Sequence, residues 1–350
     1  MKKDIFREGI PFDFLSRNRK TLMGLSILLL LIFHFSEDRS DAGYSMPYVL
    51  DLFARYIGSG EVDVFLLLSG FGLCYSREKI RDRRTFRLHH MKKILVPYLL
   101  FCLPVIFAVR VLLMGLGIGQ YIRDILFLSF ITEGYQLYWY VLCILICYMI
   151  FPCVCEVLDL DDRPLARRLR LVLVTAAAFL CLAIFSLSMG KFFDRTEKLL
   201  IRIPSFMGGV YIGIRSIRKE RLSREGLGWF LFLTAAAFYV RYIGSMPLTG
   251  RPALLICTLF LVLAIAFLLE KVPERLKESL PGRMGGRCLA WCGERTLELY
   301  LVHVGIRQIM KSSGISTGRY VMYFTVLALS FPVSALLHRV SGYVLKKLPD

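Results

Sequence analysis

Acidic residues are scarce in this chain: 27 Asp and Glu stand against 45 Lys and Arg, a formal charge of +18. In a soluble protein such an excess would suggest a nucleic-acid partner. Here the basic residues cluster between long apolar runs, the pattern that orients membrane helices, and nucleic acid is set aside on that ground. The ten cysteines include no CxxC pair, and most lie inside apolar runs. They read as small apolar residues in helices, so neither a metal site nor a disulfide framework is expected. The period-two alternation of barrel strands is missing, and so are internal repeats, low-complexity tracts and a soluble domain. No small-residue cleavage site accompanies the first apolar run, which excludes a cleavable signal peptide as an expectation.

What the chain has in quantity is apolar side chain. Of its 350 residues 56% are hydrophobic, and the mean hydropathy is +0.57. A soluble domain is closer to about 45–50% apolar. Residues 253–269 carry no charge over seventeen positions, and residues 171–190 none over twenty. Runs of about 18–20 residues cross about 30 Å of hydrocarbon as helix. Helices are expected at 21–36, 61–76, 94–116, 135–155, 171–189, 199–214, 227–244, 252–269, 293–310 and 320–338. The reading is an all-α polytopic membrane helix bundle, about ten transmembrane helices in a single domain over 1–350, multi-pass in the cell (cytoplasmic) membrane. Residues 121–131 are mostly apolar but too short to span, and are expected as a re-entrant or interfacial helix.

Charge in the connections orients the bundle. With the N-terminus inside, the inner segments are 1–20, 77–93, 156–170, 215–226, 270–295 and 339–350, and they hold 32 of the 45 Lys and Arg. The first outer connection instead carries Glu37, Asp38, Asp41 and Asp51, against Arg39 and Arg55. Both termini are therefore expected in the cytoplasm.

Ionisable groups inside spans are costly, so each is a candidate site. Arg110, Arg202 and Arg241 fall near span ends, where snorkelling is the simpler account. His34, at the outer end of the first helix, can accept a proton near neutral pH and is a candidate general base; an interfacial histidine with no function would look the same. Asp63 starts the second helix. It could orient an imidazole, or simply favour a helix N-terminus. Ser69, in the run Ser69-Gly-Phe-Gly72, reads as close helix packing or as room for a ligand. His303 lies inside the ninth helix, where an interhelical hydrogen bond competes with a substrate contact.

Several motifs together resemble the acyltransferase 3 family of membrane acyltransferases. Leu22 to His34 resembles that family's opening helix, which ends in a functional histidine. Val62-Asp-Val-Phe with Leu68-Ser-Gly-Phe71 is similar to its second-helix motif. The basic stretch closing on Lys92-Lys-Ile-Leu-Val-Pro-Tyr98 resembles its lysine- and arginine-rich approach to helix three. Tyr138-Trp-Tyr-Val141, Phe206 to Gly213 and Gly293 to His303 resemble its later motifs. One position departs: the family's arginine eleven residues before the histidine is Met23 here. Arg19 and Lys20 stand on the same helical face, within snorkelling reach.

The resemblance implies transfer of an acyl group, usually acetyl, from cytoplasmic acyl-coenzyme A to a hydroxyl on an extracytoplasmic or lipid-linked glycan. No permanently bound cofactor is expected. His34 would be the base and Asp63 its support. Lys20, Arg83, Arg84, Arg87 and Lys92 would hold the donor's phosphates, and Ser69, Trp139 and His303 would meet substrate. Two alternatives remain open at this point: a transporter of a lipid-linked glycan, and a non-catalytic component of an envelope polysaccharide complex.

Overall fold

Hydrocarbon offers no hydrogen-bond partner, so apolar runs of this length fold into helices that satisfy their own backbone. The computed structural model describes residues 9–45, 47–48, 60–80, 82–159, 163–243, 247–315 and 319–348. Asp51 and Arg55 of the first outer connection, Arg81 of the basic stretch and both extreme termini lie outside the described residues, and the side chain of Arg241 is likewise not described.

Fifteen α-helices appear among the described residues. They are α1 (Asp13–Asp41), α2 (Gly60–Arg77), α3 (Arg83–Phe107), α4 (Ile118–Ile125), α5 (Leu128–Glu133), α6 (Trp139–Asp159), α7 (Pro164–Ser188) and α8 (Gly190–Leu200), followed by α9 (Ile203–Ile217), α10 (Arg224–Ile243), α11 (Pro247–Lys271), α12 (Glu274–Glu278), α13 (Leu280–Glu294), α14 (Thr296–Ser312) and α15 (Tyr320–Lys347). A π-helical turn, Ala108–Leu113, continues α3. Each of the ten expected segments is largely helical, although those at 199–214 and 293–310 are each divided between two helices. Four are long and apolar enough to cross a membrane: α1, α3 with its π turn, α6 and α15. The only sheet among the described residues pairs β1 (Ile10–Pro11) with β2 (Arg221–Leu222), tying the N-terminal lead to the α9–α10 connection.

Three local outcomes differ from the hydropathy reading. The segment expected at 199–214 is broken at 201–202, because Pro204 in the first turn of α9 cannot continue α8. The short apolar stretch at 121–131 forms two helices, α4 and α5, hinged at Phe127 with a left-handed φ of 57°. The connection 270–295 contains α13, a helix that lies directly against α1. Their crossing is built on glycine: a Cβ on Gly24 would sit 1.9 Å from the Leu289 carbonyl oxygen, and one on Gly293 1.9 Å from that of Lys20. Gly209 of α9 meets the Leu67 carbonyl of α2 in the same way, at 1.9 Å.

The long helices alternate in direction, so the bundle has two ends. One carries the starts of α1 and α3, the ends of α2, α9 and α15, and all of α13. The other carries the end of α1, the start of α2, and the α4, α5 and α8 helices. Asp82 caps α3 at the first end; hydrogen bonds from the Thr85 hydroxyl and amide hold its carboxyl below the usual range.

Candidate functional site

The face of α1 that repeats at Met23, Ile27, Leu30 and His34 runs from one end of the bundle to the other. Over the eleven residues from Met23 to His34 it rises about 16 Å, at about 1.5 Å per residue. Each end of that face opens into a cavity.

The cavity at the end holding the basic connections is about 440 Å³. Arg19, Lys20, Met23, Ser69 and Lys93 line it, with apolar depth from Phe65, Ile94, Ile144 and Leu297. Lys20 lies 2.6 Å from Glu294. His338 donates from Nδ1 to Glu298 Oε1 at 2.8 Å, and both line the wall. Arg19 crosses the bare backbone of Gly72, where a Cβ would meet its Cζ at 2.6 Å, and its Nε donates to the Leu68 carbonyl at 3.0 Å. A guanidinium is thus brought to the cavity that Met23 lines, from one turn earlier on α1. Arg83, Arg84, Arg87 and Lys92 lie at the same end but outside this wall. Arg83 pairs with Glu156 of α6 at 2.6 Å.

The cavity at the opposite end is about 420 Å³ and contains His34. His303 Nε2 lies 3.1 Å from His34 Nδ1, and the rings are within 3° of parallel. His303 is only 2% exposed, and among the described residues its Nδ1 has no hydrogen-bond partner. The carboxylate expected beside His34 is engaged elsewhere. Asp63, 4% exposed, accepts from Arg202 Nη1 at 2.8 Å and from the Ser205 hydroxyl, and it lines neither cavity. The partner of His34 is therefore the second histidine. Arg202 does not snorkel: it is 3% exposed, held by Asp63, with its guanidinium 5.3 Å from the Trp139 ring centroid. Arg110 is likewise buried, paired with Asp124, and 4.0 Å from the Tyr135 ring. Desolvated guanidinium groups need such partners, which the sequence alone does not assign.

Trp139 enters this cavity from the first residue of α6. Tyr138 before it takes a left-handed φ of 57°, held by a buried ring. The polar wall of this cavity also includes Gln136, Lys198, Arg202, Arg307, Gln308 and one acid, Glu37, whose carboxylate is paired with Arg307. Arg307 bonds Asp38 at 2.6 and 2.7 Å and Glu37 at 2.8 Å, and Lys311 also reaches Asp38.

One side chain, Tyr300, lines both cavities. It sits on the α14 face that repeats as Leu297, Tyr300 and Val304, the first at the basic end and the last at the histidine end. Its ring packs edge-on against Tyr140, with centroids 5.2 Å apart. Tyr300, Lys198, Gln136 and the His34–His303 contact were not legible beforehand; the regular spacing of α14 was the available signal for Tyr300.

A helical membrane protein with two cavities that share Tyr300 as a wall, and a histidine pair beside one of them, is the class that this geometry defines. A family model described as an acyltransferase domain, acyltransferase 3, matches residues 22–339. The chain belongs to that family. No curated protein and no solved structure matches it.

Proposed function

We propose that this protein is an O-acyltransferase that moves an acyl group, in the simplest case acetyl, from acyl-coenzyme A to a hydroxyl of an envelope glycan. The observation that carries the reading is the pair of cavities that share Tyr300 as a wall, one lined by Arg19, Lys20 and Lys93 over apolar depth, the other holding His34. Membership of the acyltransferase 3 family supports acyl transfer itself. Donor, acceptor and orientation are our reading.

The donor enters from the cytoplasm, at the end with the basic connections. Lys20 and Lys93 in the wall hold its phosphates, and Arg19 stands in for the arginine absent at Met23. Arg83, Arg84, Arg87 and Lys92 add positive potential at that end. The acyl thioester reaches past Ser69 towards Tyr300, and the glycan hydroxyl enters from the other end beside Trp139. His34 serves as base through Nε2, which requires that its Nδ1–H donate to His303 Nε2. His303 then keeps its proton on Nδ1. His34 Nε2 takes the hydroxyl proton as the oxygen bonds to the thioester carbonyl carbon. The carbon–sulfur bond breaks, and His34 returns the proton to the leaving thiolate. Asp63 acts through Arg202, which it fixes against Trp139 in the acceptor wall.

The test is transfer by purified full-length protein in lipid. With acetyl-coenzyme A and envelope glycan, free thiol should appear in step with ester on the glycan. Ester formation without consumption of the donor, or glycan translocation without ester, would replace this reading.

A further inference from the structure

The excess of basic residues gathers at the end opposite His34, where an orienting role accounts for it. One basic group does not fit that account. Lys191, Arg195 and Lys198 of α8 recur at i, i+4 and i+7, one face of the helix, and Arg202 follows in the turn just beyond it. They lie at the His34 end, where the topological signal calls for fewer cations. Among the described residues Lys191, Arg195 and Lys198 form no ion pair. The two acids of α8, Asp194 and Glu197, lie on its flank, so the stripe itself presents only cations.

The stripe is aimed. A Cβ on Gly134 would meet Arg195 Cγ at 3.2 Å, so Arg195 packs on the α5–α6 connection that forms the cavity mouth. Lys198 lines the cavity and donates from Nζ to Gln136 Oε1 at 2.6 Å. Arg202 closes the row inside the wall, beside Trp139. Three like charges along one face of a short helix repel one another, and that repulsion is relieved when an anion lies along them. Beyond them the chamber offers an indole ring for a sugar face and two amides, Gln136 and Gln308, for hydroxyls.

Resting on the reading of the His34 cavity as the acceptor site, we propose that the acceptor is an anionic glycan, bearing carboxylate or phosphate groups along its chain, led into the cavity by the Lys191–Arg195–Lys198 stripe.

Binding tests this without any transfer step. Full-length protein in phosphatidylcholine nanodiscs is titrated, with no donor present, with labelled oligogalacturonate, a glycerol-phosphate oligomer and a neutral maltooligosaccharide of equal length. At least one anionic probe should bind tenfold or more tighter than the neutral one at low ionic strength, with the advantage shrinking as salt rises; which probe wins separates carboxylate from phosphate. The triple substitution Lys191→Gln, Arg195→Gln, Lys198→Gln should erase the preference, bringing the anionic probes to the affinity of the neutral one, with the unfolding temperature unchanged. Equal binding of all three probes, or a preference that survives the triple substitution, overturns the proposal. So does displacement of the anionic probe by phosphatidylglycerol in the disc, which would make the stripe a lipid-headgroup site. An intact preference in protein that transfers no acyl group would sink the catalytic reading and spare this one.

Discussion

His34 and His303 touch through one nitrogen each, and only one proton fits between them. For His34 to accept a proton at Nε2, His303 must act as acceptor at its own Nε2. A glutamine carbonyl can imitate that acceptor, whereas leucine cannot. His34→Ala should therefore lower transfer by about a hundredfold or more, within the 10²–10⁴-fold typical of general-base catalysis. His303→Gln should keep most of the activity and His303→Leu should lose it, with thermal unfolding in detergent alike for both. Equal activity of the two would reduce His303 to packing. Asp63 calls for a different experiment, because its partner is a buried arginine. Asp63→Ala strands the Arg202 charge, and breaking a buried pair costs about 3–5 kcal/mol. The double variant Asp63→Ala, Arg202→Leu should recover much of that stability. If the single variant unfolds at the wild-type temperature, Asp63 does not support Arg202.

Among the helices, what packs closest is backbone on backbone. Gly24 of α1 and Gly293 of α13 leave each other's chains no room for a side chain, as Gly209 does against α2. Small residues at crossings are how helices in lipid gain contact, since hydrocarbon supplies no hydrophobic drive between them. Gly24→Ala should lower the unfolding temperature markedly, while alanine at Gly285 of α13, which meets nothing within 4 Å, should be neutral. Equal effects would mean that α13 is not docked on α1. Hydropathy placed helix where the apolar runs lie, because apolar length is written directly in the residues, and four of those helices among the described residues are long and apolar enough to cross a membrane. It could not place α13, whose Arg283, Arg287 and Gly-rich stretch read as a connection until Gly24 is seen facing Leu289. His34 was legible as an isolated imidazole at a span end. Its partner was not, because 269 residues separate it from His303 and no local spacing records that contact.

The whole molecule has a direction, since its two cavities open at opposite ends and differ in chemistry. The proposed transfer, from a donor with phosphates to an acceptor outside the cell, needs such a direction, and the charge bias predicts its sign. The inner segments, with 32 of the 45 basic residues, are expected in the cytoplasm by the same physics that orients any multi-pass chain. Asp82, exposed at the start of α3, lies at that basic end, and Asp41, exposed at the end of α1, lies at the His34 end. Both side chains are at helix termini, where cysteine substitution disturbs no core. In intact cells Asp41→Cys should react with a membrane-impermeant maleimide, and Asp82→Cys should react only after the membrane is opened. With an even number of spans, cysteines placed at Lys347 and at Asp13 should behave like the one at Asp82. Labelling of Asp82→Cys from outside would invert the bundle and put His34 on the cytoplasmic side. The donor cavity would then face away from cytoplasmic coenzyme A, and the proposed direction of transfer would fail with it.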